Sequence, residues 1–300
     1  MAAGNGSKGS SRSSKRGPRT KEPGPRPGTY ELTDVTAEIV QDLDVEAGWM
    51  LLLDGVPNSY LDLNDPTHLE FEYQQWMARA VDLHRPDVTP LHFVHIGGGA
   101  CAFPRYVAAA RPGARQLVAE YNPELIALVR TVFGIRTGPG LRIRAGDGRD
   151  VLAGQHSGSA DVVVRDAFVG PVVPPHLTTA EFLADVARVL RPDGLYLANV
   201  TDGPPLSLAR AEVATARTTF AHVALVSEAP VLKGRRYGNL TLMASPAPLP
   251  TVDLARLLAR SVAPTRVLAD DELERFAAGA VVTTDDAPLV PPAPPPHLIR

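Results

Sequence analysis

Apolar and polar positions along the chain follow three different periods. Between Tyr30 and Leu63, short runs rich in branched and aromatic residues (Tyr30 to Val35, Ala37 to Leu43, Trp49 to Leu53) alternate with acidic or glycine-containing breaks and end at Asp54-Gly55. This pattern predicts a small N-terminal antiparallel sheet. Asn64-Asp65-Pro66 then offers a cap and a first-turn proline, and Leu69, Tyr73, Trp76, Met77 and Ala80 recur at helical spacing, which predicts one helix to about His84. From Leu91 the two periods alternate. Strands are expected at Leu91 to Ile96, Gln116 to Glu120, Leu141 to Ala145, Ala160 to Asp166 and Leu195 to Val200. Helices are expected from about Phe103 and at Pro123 to Phe133, Thr179 to Leu190 and Leu206 to Phe220. The alternation predicts an α/β fold with a doubly wound, mostly parallel sheet. His222 to Ser227 and Leu240 to Ala244 read as an antiparallel edge pair. The expected organisation is a tail over residues 1–28, a β-domain over 29–64, the doubly wound domain over 65–250, a helical extension over 251–286 and a proline-rich tail over 287–300.

Composition narrows the class. With 44% hydrophobic and 21% charged residues, and no run near the ~18 apolar residues that a spanning helix needs, the 300-residue chain reads as a globular protein with no membrane partner. Its single cysteine, Cys101, excludes an intramolecular disulfide framework and a multi-cysteine metal site. It also suits a reducing compartment, so a cytoplasmic location is expected. The net charge of −3 is uneven: residues 1–28 carry +6, which leaves −9 for the rest. The basic segment has no aromatic or branched apolar residues and reads as a disordered solubilising tail in preference to a nucleic-acid arm, which its charge would allow, because no aromatics are interleaved to stack on bases. The acidic body favours cationic ligands.

Candidate chemistry begins at His95-Ile96-Gly97-Gly98-Gly99-Ala100-Cys101-Ala102, which follows a strand and opens a helix. Gly97, Gly99 and Ala102 fit G-x-G-x-x-A, a turn whose glycines let backbone approach a ligand. Glu120 ends the next strand, 21 residues after Gly99, where a carboxylate can accept hydrogen bonds from both hydroxyls of an adenosine ribose. Asp147, in Gly146-Asp147-Gly148 after the third strand, is placed to accept from an adenine amino group, which separates adenosyl sulfonium ligands from dinucleotides. Asp166, at the end of the fourth strand, is either a general base or a strand-end cap. Tyr73 is either a substrate contact or core packing. His92 and His95 point to opposite faces of one strand and cannot jointly hold a metal, and Cys101 reads as a small packed side chain.

Taken in order, Leu53-Asp54-Gly55-Val56, Phe71-Glu72-Tyr73-Gln74, Gly97-Gly98-Gly99, Glu120, Gly146-Asp147-Gly148, Asp166 and Leu177-Thr178-Thr179-Ala180-Glu181-Phe182 resemble the spermidine synthase family, also called polyamine aminopropyltransferases. The resemblance runs from about Tyr30 to Ala244. It implies a Rossmann-like, class I methyltransferase-type fold, a homodimer, and transfer of an aminopropyl group from decarboxylated S-adenosylmethionine to an amine. It further implies that Gly97, Gly98, Gly99, Glu120, Asp147 and Gly148 hold S-adenosylmethionine or its decarboxylated form, that Tyr73 and Gln74 contact the acceptor, and that Asp166 and Tyr73 serve catalysis without a metal. Three positions depart from the family's acids: Ala100 in the first loop, Val169 three residues after Asp166, and Gln75 after Gln74. Two alternatives therefore stand beside aminopropyl transfer. One is a methyltransferase for a small, less cationic substrate, and the other is a non-catalytic nucleoside-binding protein. A nicotinamide dehydrogenase would need a hydride-transfer site that the sequence does not display.

Overall fold

A computed structural model describes residues 1, 24–87, 89–261 and 263–290. Most of the basic tail expected over 1–28, and residues 291–300 of the proline-rich tail, lie outside the described residues. The first sheet contains β1 (Gly28–Glu31), β2 (Thr36–Gln41), β3 (Gly48–Leu53) and β4 (Val56–Asp62), each antiparallel to the next. Asp54-Gly55 does not end this sheet. Both residues have positive φ (48° and 75°), the conformation of a tight hairpin turn, and they fold β4 back onto β3. The sequence hid β4 because Pro57, Asn58 and Ser59 interrupt it. Pro57 is accommodated opposite Leu52, where the register shifts between Leu51 and Leu52.

The next helix, α1 (Glu72–His84), starts eight residues after the expected cap at Asn64. Asp62 accepts from the amides of Asn64 and Asp65, and Asp65 accepts from that of Thr67. These local turns compete with helix formation. The chain continues through β5 (His92–Ile96), α2 (Ala102–Ala110), β6 (Arg115–Glu120), α3 (Pro123–Val132), β7 (Leu141–Ala145), α4 (Gly148–Ala153), β8 (Ala160–Arg165) and α5 (Ala180–Val189). It then forms β9 (Leu190–Asp202), α6 (Ser207–Thr219), β10 (His222–Glu228), α7 (Ala229–Leu232), β11 (Gly238–Ser245), α8 (Thr251–Leu258), β12 (Thr265–Ala269) and α9 (Asp270–Ala277).

These strands form one eight-stranded sheet in the order β12-β10-β11-β9-β8-β5-β6-β7. The run from β9 to β7 is parallel, while β11, β10 and β12 are antiparallel additions, so the sheet is mixed. The β10–β11 pair is antiparallel as expected but does not form the edge. β12 occupies that position, so the stretch over 251–286 contributes a strand as well as helices. All six residues of β8 are buried, as expected for a central strand covered on both faces. On one face Leu152, Phe182, Val186, Val213 and Leu273 pack against Val94, Val163 and Tyr196. On the other, Trp76, Met77, Phe103 and Leu254 pack against Phe93, Val162 and Leu197. A third cluster joins Ile39, Leu51 and Leu61 of the small sheet to Ala100, Cys101, Leu125 and Val129, and so seats that sheet on the loop after β5 and on α3.

Candidate active site

Strand order reverses between β5 and β8, because β6 lies on one side of β5 and β8 on the other. Open α/β sheets gather ligands in the crevice outside the carboxyl ends at such a point. Two segments meet there. Gly97, at φ +93°, sits so close to the chain after β8 that a Cβ would lie 2.1 Å from the Asp166 carbonyl oxygen. Only glycine permits both that conformation and that approach. The Gly98 and Gly99 amides then turn toward β6 and donate to Glu120 Oε2 at 2.9 and 3.1 Å, while the Asn122 amide donates to Oε1 at 3.1 Å. A carboxylate offers about four acceptor positions, and three are used in bracing the loop. The vacant one is on Oε1.

Asp166 is partly buried between two donors. Tyr73 Oη donates to Oδ2 at 2.8 Å and Asn199 Nδ2 to Oδ1 at 3.0 Å. Burial pushes the Asp166 carboxyl above its ordinary value, and the Asn199 and Tyr73 hydrogen bonds oppose that rise. The Tyr73 phenol is itself pushed well up, first by burial and then by the neighbouring Asp166 charge, so it stays a donor. The Tyr73 ring is buried in the core cluster on the α1 face, and its hydroxyl reaches out of that cluster to Asp166. Gln74 Nε2 approaches the same hydroxyl at 3.3 Å.

These groups line a cavity of about 430 Å³, within the usual size range for small-molecule sites. It extends across the ends of β6, β5, β8 and β9 to Asn239 at the start of β11. Among the described residues, its lining includes four carboxylates, Asp34, Asp54, Glu120 and Asp166, and no lysine or arginine. Of the residues singled out from sequence, Tyr73, Gln74, Gly97, Gly98, Gly99, Glu120 and Asp166 lie together on this cavity. Asp147 and Gly148 are not among its lining residues. Asp147 caps α4 by accepting from the Arg149 and Asp150 amides, and its other oxygen accepts from His176 Nε2 at 2.8 Å. Gly148 lets α4 press against β5, since a Cβ there would lie 2.2 Å from Ile96 Cγ2.

The three non-acidic positions lie in different surroundings. Ala100 is fully buried beneath the small sheet, where its amide donates to Ser59 Oγ at 3.1 Å. Gln75 turns away and donates to the Leu69 carbonyl at 2.7 Å. Val169 lines the cavity and is 71% exposed, in a short loop closed by backbone bonds with Val172. Cys101 is buried and its thiol is pushed up to about 12, chiefly by burial, which keeps it a packed, protonated side chain. His95 lines the cavity, but burial holds it down to about 4, so its ring is neutral and bonded to Gln116. Among the described residues, no group of three or more His, Cys, Asp or Glu side chains could hold a metal ion.

Asn199 and Asn239 are site residues that sequence reasoning missed. Asn199 had a signal, as the one amide inside the apolar run from Leu195 to Val200. Asn239 had none, because it reaches the site only through the antiparallel register that sets it opposite Thr201.

Comparison with solved structures adds a probable spermidine synthase from Corynebacterium glutamicum, which superposes with a TM-score of 0.82 at 37% identity and covers 87% of this chain and 97% of that one. The chain belongs to the spermidine synthase family. A polyamine aminopropyltransferase of Chromobacterium violaceum is 32% identical over 146 residues, 48% of this chain and 54% of that protein. The chain thus spans about half the length of the curated relatives it matches. Human methyltransferase-like protein 13, solved in complex with SAH, shares the fold at a TM-score of 0.54 and 20% identity over 72% of this chain and 96% of that one. No family model matches the chain. Within the spermidine synthase family, this chain combines the doubly wound, methyltransferase-like sheet with a separate four-stranded sheet that borders the cavity.

Proposed function

We propose that this chain is a transferase that moves the aminopropyl group of decarboxylated S-adenosylmethionine to a small amine. The observation that carries the reading is Asp166, held between Tyr73 and Asn199 in a cavity that, among the described residues, has four carboxylates and no lysine or arginine. Such a lining favours a sulfonium donor and an ammonium acceptor and repels anions. Glu120 takes a ribose hydroxyl on its vacant acceptor position, and the Gly97 to Gly99 turn lies against the sulfonium side of the ligand. Asp147 takes the adenine amino group by exchanging its bond from His176. Asp166 accepts the proton that the acceptor must lose before its nitrogen can attack, and Tyr73 and Gln74 orient the acceptor. The reading also places the protein in the cytoplasm as a homodimer, a state that sedimentation would measure.

A second reading, methyl transfer from S-adenosylmethionine, is favoured by the apolar Phe168-Val169 segment on the cavity wall. Incubating the full chain with decarboxylated S-adenosylmethionine and a panel of primary amines, and following methylthioadenosine by mass spectrometry, separates the two. Aminopropyl transfer predicts methylthioadenosine release. It also predicts that Asp166→Asn lowers kcat/KM by about 10²- to 10⁴-fold, the usual weight of a positioned base. Release of S-adenosylhomocysteine from S-adenosylmethionine, with no methylthioadenosine from the decarboxylated donor, would instead establish methyl transfer.

A further inference from the structure

The cavity is electrically lopsided. Asp34, Asp54 and Glu120 all lie on the side of β6 and the small sheet: Asp54 accepts from the Thr36 amide, and Thr33, beside Asp34, bonds Glu124 just after β6. On the opposite side of Asp166, toward β9 and β11, the lining contains no carboxylate. It consists of the neutral polar groups Asn199, Thr201, Tyr237 and Asn239 and the apolar wall Phe168 to Pro171. Adjacent strands are spaced about 4.8 Å apart, so Asn239 on β11 lies roughly 10 Å from Asp166, which follows β8 two strands away. A short four- or five-atom acceptor chain fills that span.

Two carboxylates lie near this end without lining the cavity. Glu72 does not line the cavity, and its Oε1 accepts from Asn239 Nδ2 at 3.4 Å. Asp202 is buried and accepts from the Gly203 and Ala209 amides at the start of α6. A second ammonium at the β11 end would therefore meet no carboxylate on the cavity wall, a disadvantage that a hydroxyl or amide escapes. Conversely, a purely apolar tail would leave the neutral polar lining short of partners.

We infer that the acceptor of this site is a monoamine whose far end carries a neutral hydrogen-bonding group, such as an amino alcohol, and not a diamine. The inference rests on the transferase reading above. In the transfer, the lone pair of the deprotonated amine forms the new N–C bond as the C–S bond breaks. The bonding pair leaves with sulfur, giving the neutral thioether methylthioadenosine, and the amine proton passes to Asp166 and then to solvent. Three acceptors of matched length test the specificity: 4-aminobutan-1-ol, butylamine and 1,4-diaminobutane.

Methylthioadenosine release by the full chain should be at least about tenfold faster in kcat/KM with 4-aminobutan-1-ol than with 1,4-diaminobutane, the discrimination expected when a charge loses water without an anionic partner on the wall it meets. Butylamine should fall below the amino alcohol. Val169→Asp, at an exposed loop position where folding tolerates the change, should supply the missing carboxylate and raise kcat/KM for the diamine about tenfold relative to the amino alcohol. Preference for the diamine in the unaltered chain overturns the inference while leaving the transferase reading intact, and so does Val169→Asp having no effect on the ratio. No release with any of the three amines overturns the transferase reading itself, and the inference with it.

Discussion

Two hydrogen bonds oppose the upward push of burial on the Asp166 carboxyl, and that balance can be measured. A base must be ionised to act, so activity is lost as pH falls through the Asp166 pKa, which lies above the ordinary aspartate value. Tyr73→Phe and Asn199→Ala each remove a hydrogen bond that holds the pKa down. Both variants should shift the acid limb of the kcat/KM profile to higher pH. An unshifted limb in both would show that a different group controls it. Gly97→Ala should cost at least about 1–3 kcal/mol in urea unfolding from its backbone conformation alone, with the clash against the Asp166 carbonyl added. Gly97, Glu120 and Asp166 were legible in the sequence because each ends a strand at a position that chain order alone identifies. Asp147 was singled out as an acceptor for an adenine amino group, but its cap on α4 and its bond to His176 were not legible, since α4 is short and the His176 contact joins two separate crossovers.

At the scale of elements, β8 is tied to α6 through a buried ion pair. Arg165 Nη2 donates to Glu212 Oε2 at 2.5 Å and Arg165 Nε to Tyr196 Oη at 3.2 Å, while Arg165 Nη1 and Glu212 Oε1 have no hydrogen-bond partner among the described residues. Glu212→Ala leaves the guanidinium buried without its anion and should destabilise the fold by about 3–5 kcal/mol, read as a lower urea midpoint. Replacing both residues, Arg165→Met with Glu212→Leu, should cost far less. Burial pushes the Glu212 carboxyl up to about 7. Because its folded pKa lies above its unfolded one, the contribution of this group is fully present below about pH 4.5 and is lost as pH rises through about 7. The difference in unfolding free energy between the native chain and Glu212→Gln should therefore slope between those limits; a flat difference would contradict the assignment. The long alternating elements from β5 to α6 were legible because their periods are clear over many residues. The short ones were not. β4 carries a proline and two polar residues, α4 is only six residues long and begins at a glycine, and β12 is five residues with a single buried side chain.

Across the whole molecule, the switch-point crevice and the small sheet together form a site that neither would form alone. Asp34, Asp54, Asn58 and Ser59 come from the small sheet and its turns, Glu120 and Asp166 from the large one. The doubly wound class was legible from strand and helix alternation, and the acidic body already indicated cationic ligands. The division of the cavity into an acidic side and a neutral side was not, because it depends on the spatial order of β11, β9, β8, β5 and β6 and not on their order in the chain. Among the described residues no helix is long and apolar enough to cross a membrane. The central claim is that this crevice binds an adenosyl sulfonium, and thermal unfolding of the full chain tests it most directly. At a ligand concentration of about one hundred times Kd, linkage predicts about 2.7 kcal/mol of added stability. Decarboxylated S-adenosylmethionine or methylthioadenosine should raise Tm in a concentration-dependent way, and Glu120→Ala should abolish the rise. Stabilisation by NAD alone, with no response to either adenosyl compound, would contradict the account.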